Sequence, residues 1–250
     1  MKRLSVILVV VLAFVSNVVM AGEVVNYTTL DTNGNITRTY TDIGNFDAVT
    51  SKVVGDIYFT QTTDGSSSLR IIGEAKYVER IKVVVVEGML NITDNMEKRK
   101  TINNGGKELR IELSAPTLKK IVGVGVGDVK IPGRFTVKNL TIINKGVGDI
   151  DIKNLECESL TVKNSGIGDV ELVGKANTAD LTLSGVGDIE AYKFMVANLK
   201  VTSLGVGNVE CYASKSINAE SRGVGGINYK GSPKEANIIS KGVGGVKRKR

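Results

Sequence analysis

The residues best placed to do chemistry in this chain are carboxylates that recur at a nearly constant interval. Asp128, Asp149, Asp169 and Asp188 are 21, 20 and 19 residues apart, and each follows a glycine. Two positions beyond the later ones stand Asp151, Glu171 and Glu190. If the repeats stack, these side chains form two adjacent acidic ladders. Like charges about 5 Å apart repel, so such a stripe needs compensation. One solution is a hard cation such as Ca2+, which takes several carboxylate oxygens, or else a basic partner. The other is local: each aspartate accepts backbone N–H groups at its own turn, and the remaining charge is solvated. Later copies carry Asn208, Gly226 and Gly245 in place of the aspartate. That drift follows a turn preference better than a metal requirement, and the nine-residue calcium-binding repeat is absent. The stripe Asp128, Asp149, Asp151, Asp169, Glu171, Asp188 and Glu190 is the candidate cation or partner site.

Other chemistry is thinly provided for. The chain has no histidine, which removes the commonest general base, triad member and nitrogen ligand for a metal. It also has no tryptophan, the largest face for stacking on a sugar ring. Paired carboxylates hydrolyse glycosides in other settings. Here they recur alike in successive repeats, whose spacing leaves little room for the inserted loops of an active site. No catalytic or cofactor-binding set emerges.

The carboxylates must be positioned by the repeat that contains them, G-[VI]-G-[DNG]-[VI]. Its second glycine falls at Gly127, Gly148, Gly168, Gly187, Gly207, Gly225 and Gly244, at intervals of 18 to 21 residues. Beyond that glycine, apolar positions alternate with polar ones, as in Val129-Lys130-Ile131 and Ile150-Asp151-Ile152. A second alternating run precedes each corner, as in Leu140-Thr141-Ile142 and Leu160-Thr161-Val162. Period two and β-branched residues mean strands with one buried face. One such unit cannot bury that face alone, whereas units stacked about 4.8 Å apart can. The fold expected is all-β: a single-stranded, right-handed parallel β-helix with about 20 residues per coil. Its glycines form the corners, where a Cβ is forbidden, and its valines and isoleucines fill the core. An antiparallel sandwich of hairpins is the structural alternative. An earlier relative of the repeat, Val54-Gly55-Asp56-Ile57, aligns with the first full copy at an offset of 72.

This register separates the cysteines. Cys211 takes an inward position, whereas Cys157 lies in a return segment three rungs earlier. The axial gap alone is about 14 Å, against the roughly 4.4–6.8 Å between Cα atoms that a disulfide tolerates. Both are expected to be free.

Around the repeats, residues 1–21 read as a signal peptide. Lys2 and Arg3 precede an apolar run too short to span a bilayer, followed by Val19-Met20-Ala21. Residues 22–45 read as a flexible, threonine-rich leader. Residues 46–115 read as irregular β-coils or a cap, and residues 116–250 as the seven-repeat helix with a basic tail. No later apolar run is long enough to span a membrane. The net charge of +7 becomes +5 once Lys2 and Arg3 are removed, and Lys247-Arg248-Lys249-Arg250 supplies four of those positives. Such a tail discourages the last rung from pairing with another molecule. Nucleic acid is an unsuitable partner, because export and the absence of a basic-aromatic motif both argue against it.

The pattern F-x-x-V-x-x-x-x-x-G-D-I-x-F starting at Phe46, the stretch Leu90-Asn91-Ile92 and the G-V-G-D-[VI] run resemble the putative auto-transporter adhesin, head GIN domain family of exported bacterial proteins. The resemblance covers about residues 46–246. It implies a β-helical domain at the cell envelope and brings no catalytic residues with it. No translocator barrel follows the repeats in this sequence, so self-transport is not expected. The expected function is a non-enzymatic exported protein, an adhesin or surface-binding module that uses the faces of the helix to hold an envelope, surface or glycan ligand. The alternatives are a structural protein whose copies stack through their end rungs and, below that, a polysaccharide-active enzyme.

Overall fold

The computed structural model describes residues 27–30, 35–41, 43–94 and 109–250. The expected signal peptide and the turn-rich Asn103–Gly106 stretch lie outside the described residues. One short helix apart, every element is a strand. Among the described residues no helix is long and apolar enough to cross a membrane.

The chain begins with an antiparallel pair, β1 (Tyr27–Leu30) and β2 (Asn35–Thr41). The first coil follows as β3 (Ala48–Lys52) and β4 (Gly55–Gln61). The chain then leaves the helix for an excursion comprising β5 (Ser68–Glu74), α1 (Ala75–Val78), β6 (Ile81–Val86), β7 (Met89–Asp94) and β8 (Leu109–Ala115). It returns as β9 (Lys120–Gly123) and β10 (Val129–Asn144), which pair in parallel with β3 and β4. Ala48 meets Lys120 and Ile57 meets Val129, so the offset of 72 in the sequence is the length of one coil plus this excursion. The remaining coils are built from β11 (Ile150–Asn164), β12 (Val170–Leu183), β13 (Ile189–Glu190), β14 (Phe194–Ser203), β15 (Val209–Ser221), β16 (Ile227–Lys230), β17 (Glu235–Ser240) and β18 (Val246–Arg248). Together they form a parallel β-solenoid of about six turns and about 20 residues per coil.

Its core consists of rows that the coil register creates. Val129, Ile150, Val170, Ile189, Val209 and Ile227 are successive parallel partners, and all are buried. Ile142, Val162, Leu181, Val201 and Ala219 form the facing row. Phe59 and Phe135 pack edge to face near the first coil, with ring centroids 5.1 Å apart. Beside the corner, the inward Asn164 Nδ2 donates to Gly168 O at 2.7 Å, and Asn144 Nδ2 donates to Asn164 Oδ1 at 3.2 Å. These amides occupy a buried position without leaving corner carbonyls unpaired.

The first coil is not left with an open edge. On one side of β4 lies β10, and on the other β8, which carries β5 and then β2 in antiparallel order. β3 is similarly overlaid by β7 and, beyond it, β6. The threonine-rich segment read as a flexible leader therefore contributes paired structure: Thr37 faces Ile72 and Tyr40 faces Leu69, with Ile36 and Tyr40 buried. Threonine is β-branched and suits a half-buried strand. Composition had hidden a strand whose inward residues are only every second or fourth one.

Candidate functional site

The corners position the candidate residues. At Gly127 the backbone takes φ +137°, and a Cβ there would stand 2.3 Å from Gly55 O. At Gly125 it would stand 1.9 Å from Val53 O. Both glycines are thus required by the close approach of one coil to the next, which their hydrogen bonds hold: Gly127 N–H donates to Val147 O and Val147 N–H to Gly125 O. Val129 is buried, the Cβ positions of Gly127 and Gly125 are directed at the backbone of the preceding coil, and Val126 between them is exposed.

This corrects one expectation. Only the fifth position of the repeat fills the core; the valine or isoleucine at the second position is outside. Val54, Val126, Val147, Ile167, Val186, Val206, Val224 and Val243 form one file of parallel bridges, each 41–71% exposed. At about 4.8 Å per coil the file is roughly 34 Å long. Val124 and Leu204 add apolar surface beside it. A shallow open groove of about 440 Å³ runs beside four of these positions, lined by Val126, Val147, Ile167, Val186, Lys145 and Ser165 among others. Sequence reading missed this ridge, because period-two counting holds only for ordinary strand backbone and the corner glycine, with φ +137° at Gly127, departs from it.

The aspartates stand on the next outward position. They do not close turns within their own coils. Each Oδ1 instead accepts the backbone N–H of the same position one coil on: Asp56 from Asp128 at 2.8 Å, Asp128 from Asp149 at 2.9 Å, Asp149 from Asp169 at 2.8 Å, Asp169 from Asp188 at 2.7 Å and Asp188 from Asn208 at 2.7 Å. Asn208 Oδ1 continues the series by accepting from Gly226 at 3.0 Å. Lys130 neutralises the start of the file, 3.3 Å from Asp56 and 2.9 Å from Asp128. Burial pushes the Asp128 carboxyl up, but the Asp149 N–H and Lys130 outweigh it and hold the group below its usual value. The Asp128 bond, with Asp56 adding to it, pushes the Lys130 ammonium well above its usual value.

The second acidic ladder is also present: Lys130, Asp151, Glu171 and Glu190 are successive coil partners. Lys153 lies 2.8 Å from Asp151 and 2.6 Å from Glu171, and these bonds raise its own pKa. Compensation therefore comes from backbone N–H groups along the aspartate file and from Lys130 and Lys153 up to Glu171. Among the described residues, no three acidic or thiol side chains converge as a metal site. Both cysteines are free, and burial pushes each thiol up to about 12.

A family model described as putative auto-transporter adhesin, head GIN domain, matches residues 45–233. A solved putative adhesin from Bacteroides fragilis is 41% identical, with a TM-score of 0.82 over 86% of this chain and 97% of that one. A putative lipid binding protein from Parabacteroides distasonis has a TM-score of 0.68 at 21% identity, over 88% of this chain and 98% of its own. A putative adhesin from Parabacteroides merdae has 0.65 at 17% identity, over 89% and 99%. These last two share the fold. No curated protein matches the chain significantly.

Proposed function

Because this chain belongs to the putative auto-transporter adhesin, head GIN domain family, we propose that it is an exported adhesive module that binds an extended surface along its glycine corner. The observation that carries this reading is the composition of the exposed file. All eight of its positions are valine or isoleucine. A β-branched residue suits the extended corner backbone, but threonine would serve that purpose equally well. Threonine occupies outward strand positions such as Thr141, Thr161, Thr182 and Thr202, yet never the ridge. Apolar surface in every copy supports a contact function. The aspartate file decays to asparagine and glycine before the ridge ends, so the ridge does not depend on it.

A continuous ridge with a shallow groove beside it suits an elongated or planar partner better than a small molecule, which prefers an enclosing cavity. Burying the exposed part of each valine is worth about 1 kcal/mol before association costs. Affinity would then come from many coils engaged together.

The test is adhesion of the purified protein to cell monolayers and bacterial envelope fractions. Replacing Val147, Ile167, Val186 and Val206 together with threonine should preserve the fold, read by circular dichroism, and reduce adhesion at least tenfold. Unchanged adhesion by the folded variant overturns the reading.

A further inference from the structure

We propose that the last coil is a second interaction site, taking up one extended segment of an acidic protein partner as an added strand. Its inward positions continue the core rows, and no strand among the described residues lies over them. Ala236 follows the buried Ile217, Ile238 follows the buried Ala219, and Val246 follows the buried Ile227. Ala236 and Ile238 are exposed, Ile238 by 42%, and Val246 is half-buried. β17 pairs only with β15 and β18 only with β16, so among the described residues each has an edge with no strand beside it. The opposite end of the solenoid is overlaid by strands of the excursion. Arg248 folds over one corner only, donating to Gly231 O at 2.9 Å and Ser232 Oγ at 2.6 Å. A row of backbone donors and acceptors at regular spacing is satisfied in register by another extended polypeptide.

Charge selects the kind of polypeptide. Residues 230–250 hold seven basic residues and one acidic residue, Glu235, a net +6 of the chain's +7. Among the described residues Lys234, Lys241, Lys247 and Lys249 form no ion pair. Lys247 stands at the end of the outward ladder Glu171, Glu190, Glu210 and Asn228. The added strand that fits has apolar residues facing in over Val246 and acids facing out beside Lys247 and Lys249. A second copy of this chain brings the same positive charge to the same edge and is repelled, so the cations that protect the edge from self-pairing also choose its partner.

The probe is a fluorescently labelled peptide alternating glutamate and valine, compared with polyglutamate, with the same peptide interrupted by proline, and with vesicles containing phosphatidylglycerol. The alternating peptide should bind at least tenfold more tightly than polyglutamate or the proline peptide. The double variant Ile238→Lys with Val246→Lys separates the causes: it adds positive charge, so it strengthens a purely electrostatic contact and weakens strand addition at least tenfold. The reversal Lys247→Glu with Lys249→Glu, at exposed positions, should abolish binding in a folded protein. Equal binding of polyglutamate, preference for vesicles, tighter binding by the double-lysine variant, or no binding at all would overturn the proposal. The threonine ridge variant should bind the peptide normally, which separates this site from the adhesive ridge.

Discussion

Asp149 accepts the backbone N–H of Asp169 through Oδ1 at 2.8 Å, from one coil to the next. The same bond recurs along the file, so each aspartate is an acceptor for its successor. An amide oxygen can do this without charge, which is why Asn208 continues the series and Gly226, which has no side-chain oxygen to accept the next N–H, closes it.

Asp149→Asn should therefore change stability by less than about 0.5 kcal/mol, whereas Asp149→Ala leaves the Asp169 N–H to water and should cost about 1 kcal/mol. Urea unfolding of both variants measures the difference. Since these Oδ1 atoms are already used and lysines balance the start of the stripe, millimolar Ca2+ should not shift the melting temperature; a rise of several degrees would assign the stripe to a cation.

The pH dependence has two limbs. Asp128 is held below its ordinary value of 3.8, so its stabilisation is present above that value and lost as the pH falls through the lower folded one. Lys130 is held above its ordinary 10.5, so its contribution is present below that value and lost as the pH rises through the higher folded one. Lys130→Met should flatten the alkaline limb and weaken the acid one in melting curves taken from about pH 2 to 12.

Gly187→Ala should be severe. Its φ is +133°, and a Cβ would stand 2.2 Å from Gly168 O, which the stacked coil cannot move aside. A loss above about 3 kcal/mol, or failure to fold, is expected. At Gly133 nothing lies within 4 Å of the added Cβ and φ is not positive. Gly133→Ala should be neutral or gain about 0.5 kcal/mol by restricting the unfolded chain.

Thiol labelling reads the core directly. With both thiols pushed up to about 12 by burial, little thiolate exists at pH 8 in the native protein. Reaction of Cys211 with a disulfide reagent should be slow and should follow the unfolding equilibrium as urea is added. Fast labelling in water would contradict the packing around it.

Much of the solenoid was legible beforehand because each coil repeats the same local chemistry. The glycine interval set the coil length, and the alternation of Val129-Lys130-Ile131 set the buried face. The free state of Cys157 and Cys211 followed from register alone. The strand at Asn35–Thr41 was not legible, because its partner β5 lies beyond the intervening first coil, and Ile36 and Tyr40 are buried only in the assembled fold.

By itself, then, the sequence determined a stacked β-fold of 20-residue coils with glycine corners and acidic files, since period and residue type act within a single copy. Three features were decided only in three dimensions. The corner's positive-φ glycines, packed against the preceding coil's backbone, leave Val126 and its equivalents outside. The coil register makes Asp149 the partner of Asp169 rather than of its own turn. The excursion overlays the first coil, while among the described residues no strand overlies β17 or β18. Each depends on contacts between residues some 20 to 75 positions apart, where local pattern has no reach and coil-to-coil packing selects the arrangement.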